Sequence, residues 1–277
     1  MKPIETLHLF QDLNQELIYF LADLKPDEWL LPSPIDGRSI KDLASHLVDG
    51  CLRRISMQRD HFFEAEAIVP QNHHELVEFI QQKNFEWIVA TRRLSSRVLV
   101  EMLKKYEQEV YELYCRLKPE DDALFSVSWA GQEKSPNWFD VARDYTEKWH
   151  HQMQMRLASG RNLLMSERFL TPLYETLLLG LPEQLNRSAL SITEQLLEVE
   201  ITGEIRLRKR LINYGSHWEF HENLTDEAHT SVKIPASIGW ILFTNTDRDK
   251  GKYLDQIQFT GNEALAKNVV RLTAVMS

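Results

Sequence analysis

The sequence predicts an α+β protein of two domains: an antiparallel four-helix bundle over residues 1–162, then a linking helix and a small α+β domain over 163–277. Three observations point there. Apolar residues recur at steps of three and four as far as about residue 159. Beyond Gly160 and one more helical run the period shortens to two. A length of 277 residues also exceeds what one domain usually needs.

Residues 3–24 set Ile4, Leu7, Phe10, Leu13, Leu17, Phe20 and Leu24 on one stripe, and Lys25-Pro26-Asp27 ends that helix. LLPSPIDGRSI reads as a loop leading to Ser39, an N-cap for a helix over about 40–64 that buries Leu43, Leu47, Cys51 and Ile55. Residues 73–93 and 96–118 form one helical passage interrupted near Leu94-Ser95-Ser96, where a serine caps the second piece, and Pro119 stops it. The connection EDDALFSVSWAGQEKSPN is polar, turn-rich and long enough to fold over a neighbouring site. A fourth main helix follows from Trp138 to about Ser159, and a further helix covers about 166–186. LLEVEI and IRLRKRLI then read as strands joined at Thr202-Gly203-Glu204, with HWEFHENL, SVKI and DQIQFTG as later ones. Pro235 marks the start of a helix through IGWILF, and Asn262 caps a closing helix, NEALAKNVVRLTAVM.

Composition excludes several classes. A formal charge of −9 argues against a surface that tracks phosphates, so nucleic acid is not an expected partner. No stretch approaches the ~20 apolar residues of a membrane span, and the N-terminus mixes acids into helical spacing unlike a signal peptide. Cys51 and Cys115 are too few and too far apart for a disulfide scaffold, which fits a reducing cytoplasm. No G-x-G-x-x-G, P-loop, G-x-S-x-G or H-E-x-x-H pattern occurs.

Chemistry concentrates in DYTEKWHHQMQMR, residues 144–156, where Glu147 and His151 stand one helical turn apart and can reach one ion. His150, three residues from Glu147, could ligate in place of His151; we choose Glu147 with His151 and leave His150 as a supporting, substrate-facing or simply exposed group. His46 in KDLASHLVDG, off its helix's apolar stripe, is the third candidate. Two histidines and a glutamate are a set that catalytic zinc sites use, with a fourth position left open. Taken alone, the polar face of that helix (Asp140, Arg143, Asp144, Glu147, His150, His151, Gln154) reads as a solvated surface. Cys51 reads as a small core residue, His73-His74 as surface, and Arg206, Arg208 and Arg210 as a solvated sheet face or else an anion-holding wall.

These segments carry a resemblance. DGRSIKDLASHLVDG and DYTEKWHHQMQMR, followed in order by LPEQLN, WILFTN and FTGNEALAKNVVRL, are similar to the mycothiol-dependent maleylpyruvate isomerase family across nearly the whole chain. The resemblance implies a DinB-like metal-binding four-helix bundle with a sterol-carrier-like C-terminal domain, and maps the metal ligands to His46, Glu147 and His151. It also implies an arginine from the C-terminal domain, for which Arg248 in TNTDRDKG is the candidate and Arg271 the weaker one. The implied chemistry is that of an isomerase or S-transferase. A divalent ion, zinc by its donor set, would favour ionisation of a low-molecular-weight thiol, and the thiolate would attack a small electrophilic substrate. Addition to a conjugated double bond, rotation and elimination would isomerise it. Two other readings stay open: a metal-dependent hydrolase that activates water, and a non-catalytic protein holding an apolar small molecule in its C-terminal domain.

Overall fold

The computed structural model describes residues 2–63, 73–188, 195–221 and 226–275. Its architecture is α+β, a helical part followed by a mixed five-stranded sheet with helices. The first helices are α1 (Phe10–Asp23), α2 (Ile40–Arg54), α3 (His73–Thr91), α4 (Ser96–Tyr114) and α5 (Asn137–Ala158). Their starts follow the sequence signals. Ser39 accepts the Asp42 amide while the Asp42 carboxylate accepts that of Ser39, a reciprocal cap, and Ser95 accepts the Val98 amide.

The bundle consists of α1, α2, α4 and α5, with α3 outside it and packed chiefly on α2. The indole of Trp87 donates to the Ser45 carbonyl at 2.9 Å, and Arg92 makes two bonds to Asp42, so the end of α3 is fastened to the start of α2. The helix expected over 40–64 is shorter: α2 widens into a π-helical turn at Ile55–Arg59, and His61 takes a left-handed backbone.

The helix expected over 166–186 is two, α6 (Glu167–Leu178) and α7 (Leu181–Asn186). Pro182 lacks the amide that would bond the Leu178 carbonyl, so a continuous helix breaks there. The sheet runs in the order β3-β2-β1-β4-β5, from β1 (Leu196–Thr202), β2 (Leu207–Asn213), β3 (Trp218–Phe220), β4 (Thr230–Pro235) and β5 (Gln258–Thr260). The β1 and β4 strands are parallel and the other pairs antiparallel. The remaining helices are α8 (Ala236–Phe243) and α9 (Glu263–Val270), the latter capped by Asn262 as expected. It stops at Val270 because the chain beyond turns back on α8, where the Ala274 amide donates to the Phe243 carbonyl.

Leu197, Val199 and Ile201 face the helices, while Glu198 and Glu200 point the other way. One apolar cluster runs without a break from α1 and α5 through α6 and α8 to the sheet. The crossing of α6 and α8 is close: the Tyr174 hydroxyl donates to the Ala236 carbonyl at 2.6 Å, and a Cβ at Gly239 would lie 2.8 Å from that hydroxyl. Among the described residues no helix is long and apolar enough to cross a membrane.

Candidate metal centre

His46 stands two turns into α2 and faces the middle of α5, where Glu147 and His151 occupy successive turns. Nε2 of His46 lies 3.2 Å from Glu147 Oε1, and Nε2 of His151 lies 3.0 Å from the same oxygen. The two imidazoles meet edge to face with centroids 4.8 Å apart. Residues 101 positions apart thus bring three donor atoms within 4.8 Å of one another. The side chains are 14% (His46), 30% (Glu147) and 12% (His151) exposed, shielded from bulk water but reachable.

Burial alone would raise the Glu147 carboxyl, but the charge of His151 and hydrogen bonds from both imidazoles hold it well below the usual range. His46 is pushed down, first by burial, against the pull of Glu147, and so favours its neutral, ligating form. Nδ1 of His151 lies 2.8 Å from Gln154 Oε1 and therefore carries a hydrogen. With Nδ1 committed to Gln154, Nε2 is the nitrogen that His151 turns toward the ionised carboxylate. An anionic oxygen flanked by two imidazole nitrogens from two helices is a donor set that fits a divalent metal.

The structure differs from the sequence expectation at His150 and along the polar face of α5. His150 is buried, not exposed: Nδ1 donates to the Thr146 carbonyl at 2.8 Å, and burial, then the charge of His151, push it down to about 3. The rest of that face turns inward too. Arg54 donates twice to Asp140, at 2.6 and 3.1 Å, and Arg143 bonds the same carboxylate. Lys148 lies between both oxygens of Glu107, at 2.8 and 2.7 Å, while Tyr114 donates to Asp144. Three cations and three carboxylates balance inside the bundle. The connection over 120–137 covers this cluster, with the Phe125 ring 4.8 Å from the Arg54 guanidinium. Cys51 is buried as expected, its thiol pushed up by burial and then by Glu107, which makes it a poor nucleophile.

The other candidate residues lie elsewhere. Arg248 is exposed in the turn after α8, two residues beyond Thr246. Arg271 lines a cavity of about 430 Å³ between α7 and α9 with Gln184, Lys267 and Asn268. A second cavity of about 430 Å³, at Glu200, Arg206 and Lys233, likewise contains none of the three clustered donors. Arg206 and Arg208 are exposed and Arg210 is partly shielded, and all three pair with Glu198 or Glu200 of β1. The side chains of His73 and His74 lie outside the described residues. Sequence reasoning placed Gln154 on a solvated face and did not single out Thr246; their side chains bond each other at 2.9 Å behind His151. The position of Gln154, three residues after His151 on the same face, was the available signal.

Fold and cluster together define a class: a four-helix bundle joined to a small α+β unit, with two histidines and one glutamate converging between two bundle helices. No family model and no curated protein matches the sequence. Among solved structures the chain is similar to mycothiol-dependent maleylpyruvate isomerase, with a TM-score of 0.55, and to a histidine-to-alanine mutant of it, with 0.54. Each comparison covers 88% of this chain and 89% of the other at 12% identity, which makes the likeness one of fold.

Proposed function

We propose that this chain is a metal-dependent enzyme that uses a low-molecular-weight thiol to isomerise, or transfer that thiol onto, a small electrophilic substrate. The observation carrying the reading is the meeting of His46 Nε2 and His151 Nε2 at Glu147 Oε1 from two helices. Bound there, a divalent cation, zinc by the donor set, would stabilise a thiolate over a thiol and so make a strong nucleophile available near neutral pH. Glu147 would offset the cation's charge, and His46 and His151 would each supply it an imidazole nitrogen. Arg248 is the residue we assign to an acidic group of the substrate, because it is exposed just past the segment that touches Gln154. We place the domain boundary at 162/163 and the enzyme in the cytoplasm. The shared fold supports the isomerase branch, since both similar solved structures are of mycothiol-dependent maleylpyruvate isomerase.

Elemental analysis of protein purified without added metal, beside His151→Ala, tests the site: we expect one tightly held divalent ion per chain and its loss in the variant. The loaded protein is then assayed with several thiols against maleylpyruvate-like electrophiles. Turnover that persists after rigorous removal of thiol would replace this reading with that of a hydrolase.

A further inference from the structure

A hydroxyl has one proton to donate, and a primary amide shows oxygen on one edge and hydrogens on the other, so a chain of such groups ending on a carbonyl has only one polarity. Behind His151 there is such a chain, and it starts outside the bundle. The Trp240 carbonyl in α8 can only accept, and it takes the Thr244 hydroxyl at 2.7 Å. Thr244, its proton committed, accepts from Thr246, 2.7 Å away. Thr246 in turn accepts from the Gln154 side chain at 2.9 Å, so the atom it meets is the amide nitrogen. The amide oxygen is thereby turned to His151 Nδ1 at 2.8 Å, which must carry the hydrogen, and Nε2 is the nitrogen left facing Glu147. Gln154, Thr244 and Thr246 are all buried.

We propose that Thr246 is a positioning residue for the metal centre, fixing through Gln154 the tautomer and ring plane in which His151 offers Nε2 to the cation. The proposal rests on the reading of His151 as a ligand. All three donors belong to the bundle, yet the polarity of one is set by the segment that follows α8. Without the Thr246 hydroxyl the Gln154 amide can turn over. Its nitrogen would then face Nδ1 and favour the tautomer that places a proton on Nε2, where the cation must bind.

The test uses the full chain as Thr246→Val, Thr246→Ser and Gln154→Leu, with two measurements. Zinc affinity is read by competition with a chromophoric chelator, and the ¹⁵N shifts of His151 are read in metal-free protein at mildly alkaline pH. For Thr246→Val we expect affinity to fall about ten- to a hundredfold, with mixed tautomers at His151, and for Thr246→Ser to restore both to within about threefold. Gln154→Leu removes the middle link and must reproduce the valine result. Parental affinity and a single parental tautomer in Thr246→Val would overturn the proposal. If His151→Ala bound zinc as the parent does, the ligand reading would fail instead, while the metal-free shifts would still decide what Thr246 does to His151.

Discussion

Lys148→Met removes the cation from a carboxylate that has little water to turn to. The Lys148 side chain is 5% exposed and that of Glu107 3%, and the two are joined at 2.7 and 2.8 Å. Leaving one charge of such a pair buried alone costs about 3–5 kcal/mol, whereas exchanging both partners for apolar residues of similar volume is neutral or better. Asp144, 3.8 Å from the same ammonium, is more exposed and keeps its bond from Tyr114. Lys148→Met combined with Glu107→Leu should therefore return to within about 1 kcal/mol of the parent. Urea unfolding followed by circular dichroism reads all three proteins, with unchanged slopes showing that the midpoints report stability. A double variant as unstable as the single one would refute the reasoning, because the penalty would then come from packing rather than from the isolated charge.

Three further expectations follow from the geometry. His150, ordinarily near 6.5 and held at about 3 in the fold, stabilises fully above pH 6.5 and progressively less as the unfolded chain takes up its proton below that. Going from pH 7 to pH 5 should remove about 2 kcal/mol of its contribution, and His150→Gln should flatten the slope in metal-free protein; parallel profiles would count against a buried neutral imidazole. Zinc at a hundred times its dissociation constant should add about 2.7 kcal/mol of stability that a chelator takes away, whereas an unmoved melting temperature would argue against a site. Gly261 has φ +82° and a Cβ there would collide with the His229 carbonyl oxygen, so Gly261→Ala should cost about 2 kcal/mol or more by urea unfolding. A variant as stable as the parent would mean that the turn after β5 can shift freely.

Much of this arrangement is legible in the sequence, because the helix stripes and caps are local signals. Ser39, Ser95 and Asn262 each cap the helix they precede, and Pro235 opens α8. Glu147 and His151 are legible for the same reason, since four residues make one turn. Of the three readings open for His150 the exposed one fails, because α5 does not have one dry and one wet side but is enclosed on nearly all sides. Charged residues usually mean solvent, and nothing local tells Lys148 that its partner is Glu107, 41 residues earlier in the chain. Thr246 escaped notice for a related reason: its bond to Gln154 exists only once α8 lies against α5. The break at Gly180 could have been read from Pro182.

Tyr145, Trp149 and Met153 lean away from the donor cluster, and each meets something beyond the bundle. The Tyr145 hydroxyl donates to the Phe169 carbonyl, Trp149 crosses Trp240 edge to face at 5.6 Å, and the sulfur of Met153 accepts the Leu164 amide. A fragment ending shortly after α5 would therefore present a wet strip of indole, phenol and thioether, and should clump rather than work alone. Heating the intact chain should melt helices and sheet in one transition, so a mutation in the sheet should weaken the proposed ion binding between α2 and α5 without touching either helix.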